Sequence, residues 1–505
     1  MSRRRPSSPV RFSSLVLPLA GALAVALAAP RVAHAQPDLT QFVNPFIGTD
    51  DSNSPNPVGG GAGGSTYPGA VMPFGMVQFS PDTPTASPSG YRFGDTTVEE
   101  LSLTHFDGAG CPNNEDIGIL PVTGNLGASP GTSWTSYASA ITKANESAAP
   151  GFYRTRLDRY STTVELSATR RTGIARLTFP ATTAARVLVN TSRSATGSRS
   201  GAITISGSQM TGSVTAGGFC GSSKTFKIFF AIQFDRAPTG TGTWLGGTIS
   251  NGSTSTSGVN SGGFVTFDTT SNQTVQLKVG LSFVSIANAQ GNLSAEQPTF
   301  NFGTVQSAAS GAWNAILGRV QATGGSATDM QKFYTALYHV LQSPNIASDT
   351  NGQYMGFDNA VHTASHVVYQ NYSGWDIYRS WAALVALIAP VESVDIVKSM
   401  VLDGQQGGLL PKWSQQNTEN FVMTGDPGPI IVASMYAFGV RSFDTAAALT
   451  LMDRSSNGGT AQGSPIRGRQ SGYIQRSYIT EDPSDSLEYS ASDFAVAQFA
   501  RALGD

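Results

Sequence analysis

The sequence is poor in cysteine, histidine and charged residues. Its 505 residues include 2 Cys and 5 His, charged side chains make up 13%, and the formal net charge at pH 7 is −2. Lys and Arg form no long cluster, so the concentrated positive charge typical of a nucleic-acid-binding surface is missing. Cys111 and Cys220 lack the spacing of metal ligands. In an oxidising compartment they could form a disulfide, a pairing that the sequence leaves open.

Long apolar runs are also scarce. The run near the N-terminus, residues 15–29, follows a basic Met-Ser-Arg-Arg-Arg start and precedes the small residues around Ala35, which is the pattern of a signal peptide. With Pro18 inside it and Pro30 at its end, the run is shorter than the about 20 apolar residues that a membrane span needs. We therefore predict cleavage of residues 1–35 and a secreted or periplasmic protein without a membrane anchor.

The rest of the chain is long enough for two domains, since a typical domain has about 100–200 residues. From about residue 40 to residue 294, short apolar runs alternate with turns rich in Gly, Ser and Thr, which predicts an antiparallel β-sandwich over residues 36–295. Trp313, Ile316 and Val320 then recur at helical spacing and indicate a helical linker over residues 296–325.

Residues 326–505 show helical periodicity, interrupted by start and stop signals. Helices are predicted to begin near Thr328, Ser373, Val391, Pro429, Asp444 and Ser484. Successive helices joined by longer loops favour an α/α toroid over a simple bundle, although periodicity alone does not decide between them. Because the chain ends at Asp505, soon after the last helix, we expect a multidomain α+β protein whose toroid is incomplete.

A series of short motifs extends from about residue 40 to the end of the chain. In order they are VNPFIGT (43–49), YPGAVMPFGMVQFSPD (67–82), LTHFDGAGC (103–111), GFC (218–220), FYTALYH (333–339), GWDIYR (374–379), LPKW (410–413) and LEY (487–489). Together they resemble glycoside hydrolase family 92, the calcium-dependent, inverting exo-α-mannosidases. The resemblance implies an N-terminal β-sandwich, a helical linker and an (α/α)6 catalytic domain, with the active site at the seam, Ca²⁺ as cofactor and a mannose-containing glycan as substrate.

Family members run well past the position at which this chain stops. The resemblance therefore implies that the general base, one of a pair of Asp residues, lies downstream of Asp505, together with most of the calcium ligands. It also leaves the glycosidic linkage open, because the segment after SPDT (80–83) lacks the Trp of members that cleave the α-1,2 linkage.

Glu488 is the candidate catalytic residue. On a helix it would share a face with Ala491, Ala495 and Phe499. An apolar stripe of this kind favours the protonated form of a carboxyl, which a general acid needs. The alternative is a solvated glutamate that stabilises the helix N-terminus. The resemblance favours the acid, because LEY matches the family's general acid motif.

Trp375 and Asp376 match the family's pair that contacts the terminal mannose, with Asp376 accepting hydrogen bonds from ring hydroxyls. The alternative is a capping Asp376 that pairs with Arg379 at i,i+3. Lys412 follows a helix-breaking Leu-Pro and is placed in a loop, where binding residues concentrate. Glu419 lies in the next loop, where an ordinary solvated acid is the alternative.

Three residues of the sandwich are further candidates for substrate contact. Phe46, Gly69 and His105 lie in Gly-bordered turns that a β-core does not require. The resemblance implies that this edge faces the catalytic domain and completes the sugar pocket. For His105 the alternative is a structural histidine.

Three functions are therefore compared. The first is exo-acting hydrolysis of terminal α-mannosides with inversion. The second is a non-hydrolytic mannose-binding protein or an inactive fragment of the enzyme, and the third is a different exo-glycosidase on the same architecture. The resemblance implies that members specialised for mannosyl phosphate replace the acid, because phosphate leaves without being protonated. The presence of Glu488 therefore favours an ordinary glycosidic bond. Hydrolysis of a mannoside by residues 36–505 separates the first two functions.

Overall fold

The computed structural model describes residues 37–50, 65–85 and 88–505. The predicted signal peptide lies outside these ranges. Asp38–Asp505 forms one compact unit, so the sandwich and the helices pack together. Over the described ranges, every helix is too short or too polar to span a bilayer.

The first part of the chain is a β-sandwich. Its strands, in chain order, are β1 (Ala70–Val71), β2 (Gln78–Asp82), β3 (Thr97–Val98), β4 (Glu100–Ser102), β5 (Gly118–Thr123), β6 (Ser139–Ala140), β7 (Ser147–Ala149), β8 (Phe152–Leu157), β9 (Thr162–Ala168), β10 (Thr172–Thr178), β11 (Ala185–Asn190), β12 (Ser200–Ser206), β13 (Gln209–Gly217), β14 (Thr225–Phe234), β15 (Gly240–Leu245), β16 (Thr248–Asn251), β17 (Ser255–Val259), β18 (Ser261–Phe267) and β19 (Thr274–Ser282).

The strands form two antiparallel sheets. Within the described ranges, eight strands follow the order β1-β2-β4-β5-β11-β18-β15-β16, and nine follow the order β17-β12-β13-β14-β19-β10-β9-β8-β7. Strands β3 and β6 pair separately.

Strand β14 shows why these segments pair as strands. Phe226, Ile228, Phe230, Ile232 and Phe234 occupy alternate positions, and all five are buried. Because successive side chains of a strand point to opposite faces, this alternation turns one apolar face toward the other sheet. The core of the sandwich lies between the two sheets.

The second part of the chain is helical. The helices are α1 (Pro130–Ser133, within the sandwich), α2 (Ile286–Glu296), α3 (Phe302–Leu317), α4 (Ala327–Val340), α5 (Gly374–Ile377), α6 (Trp381–Ile388), α7 (Pro390–Gly407), α8 (Pro427–Ala437), α9 (Thr445–Ser456), α10 (Gln470–Arg476) and α11 (Pro483–Leu503). Short strand pairs lie in the loops: β20 (Asn345–Ile346) with β23 (Tyr369–Gln370), β21 (Gln353–Met355) with β22 (Val361–Thr363), β24 (Ser414–Gln415) with β25 (Thr418–Glu419), and β26 (Thr460–Ala461) with β27 (Ser464–Pro465). The predicted order, a β-sandwich followed by helices, is confirmed.

Two details differ from the sequence prediction. Helix α2 lies in a stretch assigned to strands; the Ser285 side chain caps it, and it packs on β14 and β19. The single helix predicted from Ser373 to Pro390 is wrong, because helix α5 ends at Ile377 and α6 begins at Trp381. The interruption places Tyr378 and Arg379 in a turn, where their side chains reach the neighbouring helix α11.

Helix α3 joins the two parts of the molecule. The Trp313 side chain is fully buried, and its indole Nε1 donates a hydrogen bond of 2.7 Å to the carbonyl oxygen of Val71 in β1. Its ring packs 4.3 Å from the ring of Tyr338 on α4. One side chain of α3 therefore contacts both the sandwich and helix α4.

We expect Trp313→Phe to lower the free energy of unfolding by about 1–3 kcal/mol, because the buried Val71 carbonyl loses its partner. Urea denaturation measures the change. Leu245→Ala is the control, since this exposed side chain should change stability by no more than about 0.5 kcal/mol. Equal stability of wild type and Trp313→Phe would contradict the proposed link.

Candidate active site

Glu488 lies in the second turn of α11, surrounded by hydrogen-bond donors. Its Oε1 accepts from the indole Nε1 of Trp375 at 3.2 Å and from the Tyr378 hydroxyl at 3.1 Å. The same hydroxyl lies 2.9 Å from Oε2, and Nη2 of Arg379 lies 3.4 Å from Oε1. The side chain remains 16% exposed. The carboxyl group is therefore held in one orientation while staying open to solvent.

The prediction that Glu488 lies on an apolar face of its helix is wrong. Ser492, Ala495 and Phe499 are buried, but Ala491 is exposed and Glu488 lies at the edge of the buried face. The stripe faces α8, which packs along α11. Glu488 instead faces the turn after α5, so its surroundings are polar and aromatic.

Arg379 and Tyr378 were not selected from the sequence, although both belong to the GWDIYR motif. The Arg379 guanidinium lies 4.3 Å from the ring centre of Trp375 and 4.8 Å from that of Tyr378. Stacking of this kind orients a guanidinium by cation–π attraction. Desolvation, followed by the bond to Glu488, raises the pKa of Tyr378, so the phenol stays protonated and donates.

The segment that carries Trp375 is fixed by the loop that carries Lys412. Gly374 N donates to the Lys412 carbonyl oxygen at 3.0 Å, and Ser373 pairs with Trp413 in an isolated bridge. A Cβ at position 374 would lie 2.2 Å from that carbonyl oxygen, so only glycine fits. The structure thus brings Trp375, Lys412 and Glu488 into one site.

Asp376 is exposed on α5, and the alternative role, a pairing with Arg379, is not formed, because Arg379 pairs with Glu488. Partial desolvation raises the pKa of Asp376 to about 6, and the positive charge of Arg379 opposes the rise. The carboxyl group therefore reaches the surface in a partly desolvated position. Its role in substrate binding stays a prediction.

Lys412 is buried beside acidic groups. Its Nζ donates to the Ile466 carbonyl oxygen at 3.4 Å. Burial lowers the pKa of Lys412, and the charges of Glu419, Asp426, Asp485 and Glu488 oppose that shift. The ammonium group therefore contributes positive potential near the Glu488 carboxyl.

Glu419 is fully buried and bound by backbone amides. It accepts hydrogen bonds from Lys412 N at 2.7 Å, Trp413 N at 3.0 Å and Phe421 N at 2.9 Å. Burial raises the pKa of Glu419, and these three amides oppose the rise. The geometry makes Glu419 an anchor for the Lys412 loop, and direct substrate contact stays a prediction.

The three sandwich candidates lie in packed surroundings. His105 is buried, with Nε2 2.8 Å from Asp82 Oδ1 and Nδ1 2.9 Å from the Gln78 carbonyl oxygen, and burial lowers its pKa. A Cβ at Gly69 would lie 2.3 Å from Ser80 Cβ, so close strand packing requires this glycine. Phe46 is half-buried and packs 5.4 Å from Phe93.

The sandwich nevertheless reaches the Lys412 loop. The ring of Phe219 stacks on that of Trp413, with centroids 5.5 Å apart and planes at 7°. Gln415 Nε2 also donates to Asn114 Oδ1 at 2.8 Å. Cys111 and Cys220 form a disulfide beside this contact, which answers the pairing that the sequence left open. An edge of the sandwich therefore adjoins the site.

A buried ion cluster contacts α11 at Ser492 and Asp493. Arg467, 1% exposed, donates from Nε to Asp426 Oδ2 at 2.9 Å and from Nη1 to Asp493 Oδ1 at 2.7 Å. The Ser492 hydroxyl donates to the Asp426 carbonyl oxygen. Two residues of α11 are thus fixed to this cluster. The sequence carried no signal for Arg467, because its partners are distant in the chain.

Gly425 packs against the Glu488 side chain, and it was not selected from the sequence. Its φ is +83°, and a Cβ there would lie 3.0 Å from Glu488 Cβ and 3.1 Å from Glu488 Oε2. Gly425 N donates to Asp485 Oδ1 at 3.3 Å. The space occupied by the Glu488 side chain therefore depends on the absence of a side chain at position 425.

A metal centre is not found over the described ranges. There, no group of three or more His, Cys, Asp or Glu side chains is arranged to hold an ion. Calcium prefers six to eight oxygen ligands. The described residues thus do not supply the calcium site that the resemblance implied, and no chemical step is assigned to it.

Comparison with known proteins identifies two family models along the chain. Residues 42–282 match the glycosyl hydrolase family 92 N-terminal domain, and residues 288–505 match the glycosyl hydrolase family 92 catalytic domain. No curated protein matches the chain.

Solved structures show the same architecture. The family GH92 α-mannosidase BT3965 from Bacteroides thetaiotaomicron is 28% identical, with a TM-score of 0.83 over 93% of this chain and 64% of that one. Its complex with mannoimidazole is also similar, at 27% identity and a TM-score of 0.83, covering 93% of this chain and 62% of that one. The inverting mannosidase BT2199 from the same organism is 24% identical, with a TM-score of 0.81 over 92% of this chain and 62% of that one. This chain therefore spans less than two thirds of the length of these relatives.

We expect Gly425→Ala to displace the Glu488 side chain, because the new methyl group meets it at 3.0 Å. Gly439→Ala is the matched control: its φ is also positive, at +107°, but a Cβ there meets nothing within 4 Å. Both variants carry the backbone strain of a positive φ. Crystal structures should show a shifted Glu488 in the first variant alone, and an unmoved Glu488 in Gly425→Ala would contradict the packing described.

A second expectation concerns the titration of Asp376. The pKa of Asp376 is raised from 3.8 to about 6 in the folded protein. At pH values between these two, the folded protein holds a proton on Asp376 that the unfolded chain has already lost. The contribution of Asp376 to the free energy of unfolding is fully present below the pKa of the unfolded state. This contribution is lost as the pH rises through the pKa of the folded state. Carboxyl ¹³C NMR should give a midpoint near 6. Asp376→Asn should remove the fall of the free energy of unfolding over this pH range. A titration midpoint at the ordinary carboxyl pKa of 3.8 would contradict the partly desolvated position of Asp376.

Proposed function

This chain belongs to glycosyl hydrolase family 92, and we propose from this that it takes part in the hydrolysis of terminal α-mannosides of glycans, with Glu488 as the general acid. The observation that carries the assignment is the position of Glu488. Its carboxyl group is oriented by Trp375 and Tyr378 yet open to solvent, where a glycosidic oxygen can approach. The α-mannosidase activity named for the 28% identical relative supports the same assignment.

The chemistry required of Glu488 is proton donation to the leaving oxygen, which creates a carboxylate. The Trp375 indole and the Tyr378 hydroxyl already donate to that group, and Arg379 places a positive charge beside it. These donors stabilise the charge as it forms, without having to reorganise. Trp375 and Asp376 are proposed to contact the sugar, since both lie on α5 beside the acid.

Inversion is also proposed. An inverting enzyme uses a second carboxylate, about 6.5–9.5 Å from the acid, to activate a water on the opposite face of the sugar. The mannosidase BT2199, whose fold this chain shares, is named as inverting. We assign no described residue to the base. Calcium dependence rests on the family resemblance, and the described residues contribute no site for the ion.

Export to the periplasm or the cell exterior is proposed as well. The N-terminal pattern that predicts a signal peptide lies outside the described residues. The Cys111–Cys220 disulfide supports this location, because disulfides persist mainly in oxidising compartments.

The competing function is mannose binding without hydrolysis. It retains the contacts of Trp375 and Asp376 but needs no proton donor. Incubating the purified chain with an α-mannoside separates the two: release of mannose supports hydrolysis, and binding without release supports the alternative.

We expect Glu488→Gln to slow cleavage of natural mannosides by about 10²–10⁴-fold, because general acid catalysis contributes this much. An activated aryl mannoside should lose much less, since its leaving group departs without a proton. Initial rates on both substrate classes measure the difference. Glu481→Gln, the same change at an exposed residue, is the control. Equal losses on both classes would remove Glu488 from the acid role.

A further inference from the structure

A surface cavity of the sandwich lies along strand β8, and its lining is rich in hydrogen-bond donors. The cavity has a volume of about 180 Å³. Strand β8 supplies Arg154 and Arg156, and the neighbouring segments supply Asn145, Ser147 and Thr163. We call it the β8 cavity.

The register of the strands explains why these side chains meet. Arg154 and Arg156 are two positions apart on β8, so both side chains leave the same face of the sheet, about 7 Å from each other. Ser147 on β7 lies opposite Arg154, and Thr163 on β9 lies opposite Arg156. Because β8 is hydrogen-bonded to a strand on each side, the backbone that carries the two arginines is held in place.

The donors of the β8 cavity have no partner among the described residues. There, Arg154 and Arg156 form neither an ion pair nor a side-chain hydrogen bond, and the side chains of Asn145, Ser147 and Thr163 form no hydrogen bond either. Thr163 is half-buried and the other four residues are exposed, so a ligand in the cavity can reach their polar atoms. A guanidinium group donates but does not accept, so the two arginines call for an acceptor.

Two carboxylates near the cavity already have a cation of their own. The Glu146 carboxylate is 1% exposed and accepts from Lys143 Nζ at 2.9 Å. Glu165 on β9 accepts from Nε of Arg176 at 2.6 Å and from its Nη2 at 2.8 Å. Neither carboxylate is therefore left to pair with the arginines of the cavity.

This arrangement suits a phosphate or sulfate group. Guanidinium groups bind such oxyanions through charge-assisted hydrogen bonds, often two from one arginine. Two guanidinium groups with a hydroxyl opposite each can bind several acceptor oxygens of one tetrahedral group, whereas a carboxylate presents only two oxygens. A neutral sugar would leave the two like charges without a counter-charge.

We propose that the β8 cavity binds a phosphate or sulfate group, with Arg154 and Arg156 as the charged contacts and Ser147 and Thr163 as further donors. The group can belong to a free ion or to an anionic saccharide, since both present the same oxygens. The cavity shares no lining residue with the Glu488 site. The inference therefore holds whether or not the chain hydrolyses mannosides.

The test is isothermal titration calorimetry of the purified chain at low ionic strength, where charges are screened least. The probes are inorganic phosphate, inorganic sulfate and mannose 6-phosphate, with methyl α-D-mannoside as the neutral control. We expect at least one anionic probe to bind with a dissociation constant of about 1 mM or lower. Tighter binding of mannose 6-phosphate than of inorganic phosphate identifies an anionic saccharide as the ligand, and equal binding identifies the free ion.

Arg154→Gln combined with Arg156→Gln should weaken this binding by about tenfold or more, because both charge-assisted contacts are lost. Arg454→Gln combined with Arg501→Gln is the matched control. These two arginines are also exposed and form no ion pair among the described residues, but they do not line the cavity. Urea denaturation should show that both double variants fold like the wild type, since all four side chains are exposed.

A further variant blocks the cavity without removing the arginines. Ser147→Glu places a carboxylate opposite Arg154, where it should pair with the guanidinium and exclude the anion. Ser206→Glu makes the same charge change at an exposed position of β12 outside the cavity and should bind like the wild type. Failure of all three anionic probes to bind overturns the proposal. Binding that persists unchanged in the Arg154→Gln, Arg156→Gln protein, or that falls equally in its matched control, also overturns it.

Discussion

The hydrogen bonds between the turn after α5 and Glu488 on α11 are the contact on which the candidate site depends. The Tyr378 hydroxyl and the Trp375 indole bridge 110 and 113 positions of sequence to reach the same carboxyl group. They fix the side chain in one orientation, and Arg379 adds a charge held over both aromatic rings. These donors are already in place, so they are oriented to stabilise negative charge on the Glu488 carboxyl without reorganisation.

That contact needs a rigid support beneath it. Arg467, Asp426 and Asp493 form an ion cluster in which the guanidinium is almost fully buried. Burying charges is costly, and removing one partner leaves an uncompensated charge, so such clusters tolerate little movement. Since Asp493 belongs to α11 and Asp426 immediately precedes α8, the cluster fixes the spacing of these two helices. Gly425 then leaves the room that the Glu488 side chain occupies.

The sandwich contributes to the same region through packing. Phe219 stacks on Trp413, and the Cys111–Cys220 disulfide holds two sandwich loops together next to that stack. Glu419, bound to three backbone amides of residues 412–421, holds the Lys412 loop in one conformation. The loop that supports Trp375 therefore contacts the sandwich as well as the helical part.

The sequence by itself determined the class of each segment and the motifs of the site. Alternation in segments such as 226–234 predicts strands, and spacing after residue 326 predicts helices, because both patterns depend on near neighbours in the chain. The family motifs likewise pointed to Trp375 and Glu488. Only the tertiary structure decided that the predicted helix from Ser373 is interrupted and that Arg379 pairs with Glu488 instead of Asp376. It also decided that Glu488 lies among donors and not on an apolar stripe. The reason is physical: these outcomes depend on contacts between residues more than a hundred positions apart, which local periodicity does not record.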